Sequence, residues 1–275
     1  MGIRNVNRKP AVAGAFYPAS PQTLAETITD LSDDAAPRVE AIGLIAPHAG
    51  YAYSGSVAGA VISRVRLEGT VIILGPNHTG LGAPFSLWPD DDWETPLGGV
   101  AIDEELRQAL LENSVYLKED TLAHLREHSL EVQIPFLQHF KPDVKIIPIV
   151  LGGAAPDDYQ ALGREIARVL TATKRRVTII ASSDMTHYEP QSTAERKDKL
   201  AIEAVLRLDA AVLTSRLAEH RITMCGYAPV LTLIAAAKEL GATGGELVRY
   251  QTSGDVSGDY GSVVGYAGII IRRKS

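Results

Sequence analysis

The stretch AIGLIAPHAGY, residues 41–51, decides how this chain folds. Six apolar residues run without alternation into a proline and a histidine, a pattern typical of a strand that is covered on both faces and ends in an irregular turn. The same pattern recurs in TVIILGPNHTG (residues 70–80) and in VTIIASSDMTH (residues 177–187). These three segments predict buried strands, each followed by polar side chains.

Further buried strands are predicted for residues 144–151 and 262–271, and helical patterns lie between the strands. The predicted helices are Gln22–Leu31, Ser54–Val65, Asp103–Leu111, Thr121–Ile134, Asp157–Leu170, Ser192–Leu206 and Ala228–Leu240. Strands that alternate with helices in this way indicate an α/β fold. We therefore expect residues 1–275 to form a single domain, with a central mixed or parallel sheet flanked by helices.

Composition excludes several classes of protein. Of 275 residues, 45% are hydrophobic and 22% charged, which is ordinary for a globular domain. A net charge of −6 with scattered Lys and Arg argues against nucleic acid as the partner. No apolar run reaches the roughly 18 residues that a membrane-spanning helix needs. With a single cysteine, Cys225, the chain forms no internal disulfide, which favours a reducing, cytoplasmic setting.

The polar residues after the strands predict a site. In open α/β sheets, ligands bind outside the carboxyl ends of the strands. Three of the predicted strands deliver His48, His78, Asp184 and His187 to such ends. We expect His48 and His78 to end neighbouring strands, because one strand–helix–strand crossover separates them.

Imidazole is a ligand for Zn, Fe and Cu, and two imidazoles need at least a third ligand. Cys225 lies in TMCGY, residues 223–227, just before a predicted helix. The amino end of a helix lowers the pKa of a thiol and so favours the thiolate that binds metals. The sequence also allows Cys225 to be a small buried hydrophobic residue, as most free cysteines are.

Several motifs together resemble one family. They are PAVAGAFYP (10–18), APHAGY (46–51) with Ser54-Gly55, LGPNH (74–78), HSLEVQ (128–133) with PFL (135–137), SSDMTH (182–187), MCG (224–226), and Gly254-Asp255 with VGYA (264–267). The chain is similar over nearly its whole length to the Memo-like proteins. Microbial members are often called AmmeMemoRadiSam system protein B, because their genes accompany a radical-SAM protein and another small protein.

The resemblance implies a fold like that of the class III extradiol dioxygenases, which are non-haem Fe(II) enzymes. His48 and His78 match the two metal-ligating histidines of that fold, and Cys225 falls where the dioxygenases supply a carboxylate ligand. His187 falls where they keep a histidine that moves protons. The resemblance thus implies Fe(II) as the cofactor, with Cu or Zn as competitors because thiolate is a softer ligand than carboxylate.

Five more residues are expected around this site. We interpret Asp184 as a carboxylate that orients an imidazole, although a carboxylate after a strand also commonly caps a turn. His128 and Glu131 are three residues apart on a predicted helix and so share a face, which the resemblance directs toward the metal. Tyr51 and Tyr188 flank the motifs, and we expect their aromatic rings to line the site.

Three functions are consistent with these residues. The first is a metal-dependent oxidoreductase that acts on an unidentified small molecule or peptide, with a functional link to the radical-SAM protein. The second is a metal-free cysteine hydrolase or transferase that uses Cys225 as nucleophile, His187 as base and Asp184 to orient the base. The third is a non-catalytic peptide-binding or signalling module, as some eukaryotic relatives are described.

Overall fold

Buried strands alternate with helices throughout residues 7–89 and 92–273, the part of the chain that this computed structural model describes. The strands are β1 (Ala41–Ala46), β2 (Thr70–Pro76), β3 (Phe85–Leu87), β4 (Trp93–Thr95), β5 (Gly98–Val100), β6 (Lys118–Glu119), β7 (Lys145–Leu151), β8 (Thr178–Ser182), β9 (His187–Glu189), β10 (Ala242–Thr252) and β11 (Val263–Arg273). The helices are α1 (Pro21–Leu31), α2 (Tyr51–Ile62), α3 (Glu104–Glu112), α4 (Ile134–Phe140), α5 (Pro156–Thr173), α6 (Gln191–Leu206), α7 (Ala210–Glu219), α8 (Tyr227–Glu239) and α9 (Gly254–Ser257).

The main sheet is mixed, with a parallel centre. Its strand order is β10-β11-β1-β8-β2-β7-β3-β6, and β9 pairs with one end of β11. Strands β1, β8, β2 and β7 are parallel to one another, whereas β11 is antiparallel to β1 and β3 is antiparallel to β7. Strands β4 and β5 form a separate hairpin. The predicted α/β fold with a mixed, helix-flanked sheet is confirmed.

Side chains alternate between the two faces of the central strands, and both faces are covered. In β2, Ile72 and Leu74 belong to the core that contains residues of α5, α6 and α8. Val71 and Ile73 of the same strand belong to the core that contains residues of α1, α2 and α4. Full burial of each such side chain contributes about 1.5–3 kcal/mol, which explains why these strands read as unbroken apolar runs.

The predicted helix over Thr121–Ile134 is wrong. Residues 121–130 form turns, a 3₁₀ turn covers Glu131–Gln133, and α4 begins only at Ile134. Side chains take over the hydrogen bonds that a helix would have formed: Arg8 donates to the carbonyls of His124 and Glu127, and the Glu127 carboxylate accepts from the Ser129 amide. Because these buried backbone groups already have partners, the segment needs no helix.

The spatial order of the strands also differs from the expected one. Strand β8 lies between β1 and β2, so the strands before His48 and His78 are both neighbours of β8 rather than of each other. Helix α7 and the long strand β10 were not predicted. Among the residues described, no helix has the length and apolar character needed to cross a membrane.

Candidate metal centre

Three parallel strands deliver polar side chains to one edge of the sheet. His48 lies two residues after β1, His78 two residues after β2, and Asp184 two residues after β8. The three strands are adjacent in the order β1-β8-β2, so their carboxyl ends form one continuous edge. This is the position at which open α/β sheets bind ligands.

His48, His78 and His128 form a compact cluster at this edge. Each offers one ring nitrogen, and these three nitrogens all lie within 4.8 Å of one another. The ring centroids are 5.1 Å apart for His48 and His78 and 4.6 Å apart for His78 and His128, whose rings stack. Two nitrogens on one metal at 2.0–2.1 Å are at most about 4.2 Å apart, so small side-chain rotations would close the cluster around an ion. His128, expected only to line the site, is thus one of its three imidazoles.

Hydrogen bonds fix the tautomer of His48. The Ser182 hydroxyl donates to the Ser129 carbonyl at 2.6 Å, so its oxygen accepts from His48 Nδ1–H at 3.0 Å. Nε2 of His48 is therefore left with a free electron pair. Burial, together with the neighbouring charges of His78 and His128, lowers the pKa of His48 well below its ordinary value, which keeps this imidazole neutral.

Glu127 orients His78. Its buried carboxylate accepts from the His78 backbone amide at 2.6 Å and from His78 Nδ1–H at 2.9 Å, which turns Nε2 toward the cluster. Burial acts to raise the pKa of Glu127, but the hydrogen bond and charge of His78 outweigh it and hold that pKa at about 2. Burial acts to lower the pKa of His78, and Glu127 more than offsets this, so the net shift is upward.

Sequence reasoning missed Glu127, which also lies 3.5 Å from His128 Nδ1. A carboxylate behind a histidine is the usual arrangement around metal-binding imidazoles. The sequence signal for Glu127 is that this acidic residue directly precedes His128. The pattern of residues 121–134 predicts a helix, in which adjacent residues face different directions, and this hides the pairing of Glu127 with the histidines.

Cys225 lies against His48, on the margin of the cluster. Its Sγ is 3.1 Å from His48 Nε2 and accepts from the Asp184 backbone amide at 3.3 Å. Burial and the charge of Asp184 raise the pKa of this thiol, whereas the position before a helix had predicted a lowered pKa. The residue precedes Gly226, the N-cap of α8, and desolvation outweighs the effect of the helix end. Burial therefore favours the neutral thiol at this position.

Asp184 and His187 have different partners. Asp184 Oδ1 accepts from the His48 backbone amide at 2.7 Å, and burial raises the pKa of Asp184 to about 6. His187 is half-buried, and its Nδ1–H donates to the Thr223 carbonyl at 2.9 Å. The Thr223 carbonyl therefore fixes the tautomer of His187, and Nε2 is left free. No hydrogen bond found among the described residues joins His187 to Asp184 or to Cys225.

The remaining expected residues lie around the cluster rather than in it. The Tyr51 hydroxyl is buried and donates to the Val132 carbonyl at 2.7 Å, while Tyr188 is 79% exposed. Glu131 was expected to share a helix face with His128. It instead pairs with Arg8 at 2.6 Å, with both side chains fully buried.

The fold and this cluster define an α/β protein with a candidate three-histidine metal centre at the carboxyl edge of its sheet. Residues 8–270 match the model of the Memo family, described as "Memo-like protein", and the chain belongs to that family. MEMO1 family proteins from Methanococcoides burtonii and Desulfurococcus amylolyticus are 45% and 43% identical to it. These alignments cover 96% and 95% of this chain and 100% and 98% of the relatives.

Among solved structures, the fold is similar to that of an uncharacterized protein from Escherichia coli K12. The TM-score is 0.51 at 14% identity, and the match covers 83% of this chain and 98% of the other. At this identity the likeness supports the fold alone.

Proposed function

We propose that this protein binds one transition-metal ion through His48 and His78, with Cys225 and His128 as further donors, and that the metal serves an oxidoreductase reaction. One observation carries the proposal: His48 and His78 each donate Nδ1–H to a fixed acceptor, which leaves Nε2 free beside a third imidazole. Nitrogen and sulfur donors suit Fe, Cu and Zn. Fe(II) is our first assignment, and Cu and Zn are the competitors.

The position of Cys225 supports its assignment as a ligand. Sγ of Cys225 lies 3.1 Å from His48 Nε2, which is close enough that both atoms would hold the same metal ion. The same separation also fits a thiol that donates its proton to His48 Nε2. Loss of that proton on metal binding would convert one arrangement into the other.

The other residues of the site support the chemistry. The metal supplies redox and Lewis-acid chemistry when bound. His187, with a fixed tautomer and a half-buried ring, accepts or donates a proton on the substrate, an unidentified small molecule or peptide. Asp184 holds the backbone of His48 through its carboxylate and contacts Cys225 through its amide, so it keeps the two donors together.

The experiment is metal analysis of protein purified without oxygen. We expect about one metal ion per chain, loss of metal in His48→Ala, and weaker binding in Cys225→Ser. His187→Ala should keep the metal and lose metal-dependent turnover, since removal of a proton-transfer group typically lowers rates 10²–10⁴-fold.

The rival cysteine-hydrolase reading is tested on the same preparations. A nucleophilic Cys225 would be labelled rapidly by iodoacetamide whether or not a chelator is present. A metal-bound Cys225 would be protected until the chelator is added. Metal-free wild-type protein with rapid labelling would contradict the proposed metal centre.

A further inference from the structure

The segment of residues 7–17, here named the N-terminal strap, is anchored beside the histidine cluster by Arg8. This guanidinium is fully buried. Nε donates to the His124 carbonyl at 2.8 Å and Nη2 to the Glu127 carbonyl at 2.7 Å. The guanidinium carbon also lies 4.0 Å from the centre of the Trp93 ring. Arg8 therefore fixes the turns that lead into Glu127 and His128.

The strap touches the cluster a second time through Phe16. The Phe16 ring packs on His128 with centroids 4.8 Å apart. The Phe16 carbonyl accepts from the Tyr51 amide at 2.7 Å, and Tyr51 lies three residues after His48 in the chain. The strap thus contacts the segments that carry two of the three imidazoles.

A buried carboxylate anchors the strap to the body of the protein. Glu131 accepts from the amides of Ala11 and Val12 at 2.8 and 3.0 Å, and from the Tyr17 hydroxyl at 2.7 Å. With Arg8, this carboxylate therefore takes hydrogen bonds from four groups of the strap. A charged acceptor with so many donors holds the strap in one register.

From these contacts we infer that docking of the N-terminal strap and metal binding are coupled, with Arg8 as the positioning residue that transmits the coupling. The inference rests on the proposed metal centre. Arg8 holds the backbone of Glu127, and the Glu127 side chain holds His78 and lies beside His128. Because coupling between two binding events is reciprocal, the strap strengthens metal binding and the metal stabilises the docked strap.

The first test measures how firmly the N-terminal strap is docked, and it does not depend on an enzymatic activity. Hydrogen exchange of the Ala11 and Val12 amides is measured while Zn²⁺ is added to apoprotein. We expect exchange at both amides to slow as the metal binds, and to stay unchanged in His48→Ala. Unaltered exchange in wild-type protein that demonstrably binds Zn²⁺ would overturn the coupling.

The second test compares neighbouring residues of the strap. Arg8→Lys keeps the charge but cannot reach Glu131 and two carbonyls together. Lys9→Ala is the matched control, because Lys9 is exposed and pairs only at the surface with Glu94. Loss of a residue that orients ligands typically weakens metal binding 10–100-fold, so we expect that range for Arg8→Lys, with an altered Co²⁺ absorption spectrum, and less than a twofold change for Lys9→Ala.

The outcomes separate this inference from the proposed function. Equal metal affinity and an unchanged Co²⁺ spectrum in Arg8→Lys, with metal bound by the wild type, overturn the coupling alone. A wild-type protein that binds no metal overturns the proposed centre and the coupling with it. Should Arg8→Lys fail to fold, Phe16→Leu takes its place as the variant, and the exchange experiment on wild-type protein still decides.

Discussion

The imidazoles of His48 and His78 are oriented by hydrogen bonds to neighbouring residues, and Glu127 accepts three such bonds around His78. It accepts from the amides of His78 and Ser129 as well as from His78 Nδ1. An amide side chain has one acceptor oxygen and cannot take over both contacts with His78 without leaving a buried group unpaired. The orientation of His78 is therefore sensitive to a change of a single atom in Glu127.

We predict that Glu127→Gln weakens metal binding 10–100-fold while the protein stays folded. Titration of the apoprotein with Zn²⁺ against a competing chelator measures the effect. The control is Glu26→Gln, an exposed substitution on α1 that should leave the affinity unchanged. Wild-type affinity in Glu127→Gln would mean that His78 does not need this carboxylate.

Gly226 shows how closely the backbone beside Cys225 packs. A Cβ atom at this position would lie 2.3 Å from the Ser182 carbonyl oxygen and 2.4 Å from Ser183 Cβ. Both neighbours are buried at the end of β8, so the backbone that carries Cys225 would have to shift.

We predict that Gly226→Ala lowers the free energy of unfolding by about 1–3 kcal/mol, the usual range for overpacking, and weakens metal binding as Cys225 moves. Denaturant unfolding measures the first effect. Gly69→Ala is the matched control, because a Cβ there would meet no atom within 4 Å. Equal stability of the two variants would contradict the close approach.

Among the secondary-structure elements, α3 is tied to the sheet by its N-cap. The Asp103 carboxylate accepts from the Leu106 amide at 3.2 Å, from the Thr70 hydroxyl of β2 at 2.5 Å, and from Arg175. Burial acts to raise the pKa of Asp103, but these hydrogen bonds and the Arg175 charge outweigh it and lower that pKa. One ionised carboxylate thus joins α3 to β2 and to the segment before β8.

The lowered pKa sets the direction of a pH effect. The contribution of Asp103 to stability is fully present above its unfolded pKa of about 3.9 and is lost as the pH falls through the lower folded value. We predict that Asp103→Asn destabilises the protein by about 1–2 kcal/mol at pH 7, because Thr70 and Arg175 lose a charged acceptor, and by less as the pH falls below about 4. Urea unfolding of both proteins at pH 7 and pH 3 tests this, and an equal difference at the two pH values would contradict it.

For the whole molecule, the candidate metal centre joins segments that are far apart in the chain. The donors that we propose come from the ends of β1 and β2, from the turns before α4 and from the residue before the N-cap of α8. A metal that binds the folded chain and not the unfolded one stabilises the fold by RT ln(1 + [L]/Kd), about 2.7 kcal/mol at a hundredfold excess over Kd.

We therefore predict that added metal raises the unfolding temperature of the apoprotein in a concentration-dependent way. Calorimetry of wild type and His48→Ala, with and without Zn²⁺, measures the shift. The variant should show no metal-dependent shift. An equal shift in both proteins would place the stabilising metal at a different site.

The central strands, and the edge of the sheet at which the candidate site lies, are predictable from local sequence. Apolar runs that end in a polar turn carry a local signal, since burial on both faces requires each residue of the run to be apolar. β1 begins and ends at the predicted residues, and His48 and His78 follow their strands as expected. Three features depend on long-range contacts: β8 lies between those strands, Glu127 supports His78, and Arg8 holds a turn 119 residues away. The physical reason is that a single long-range hydrogen bond leaves no periodic pattern in the sequence, and such bonds replaced the helix that the local pattern around His128 predicted.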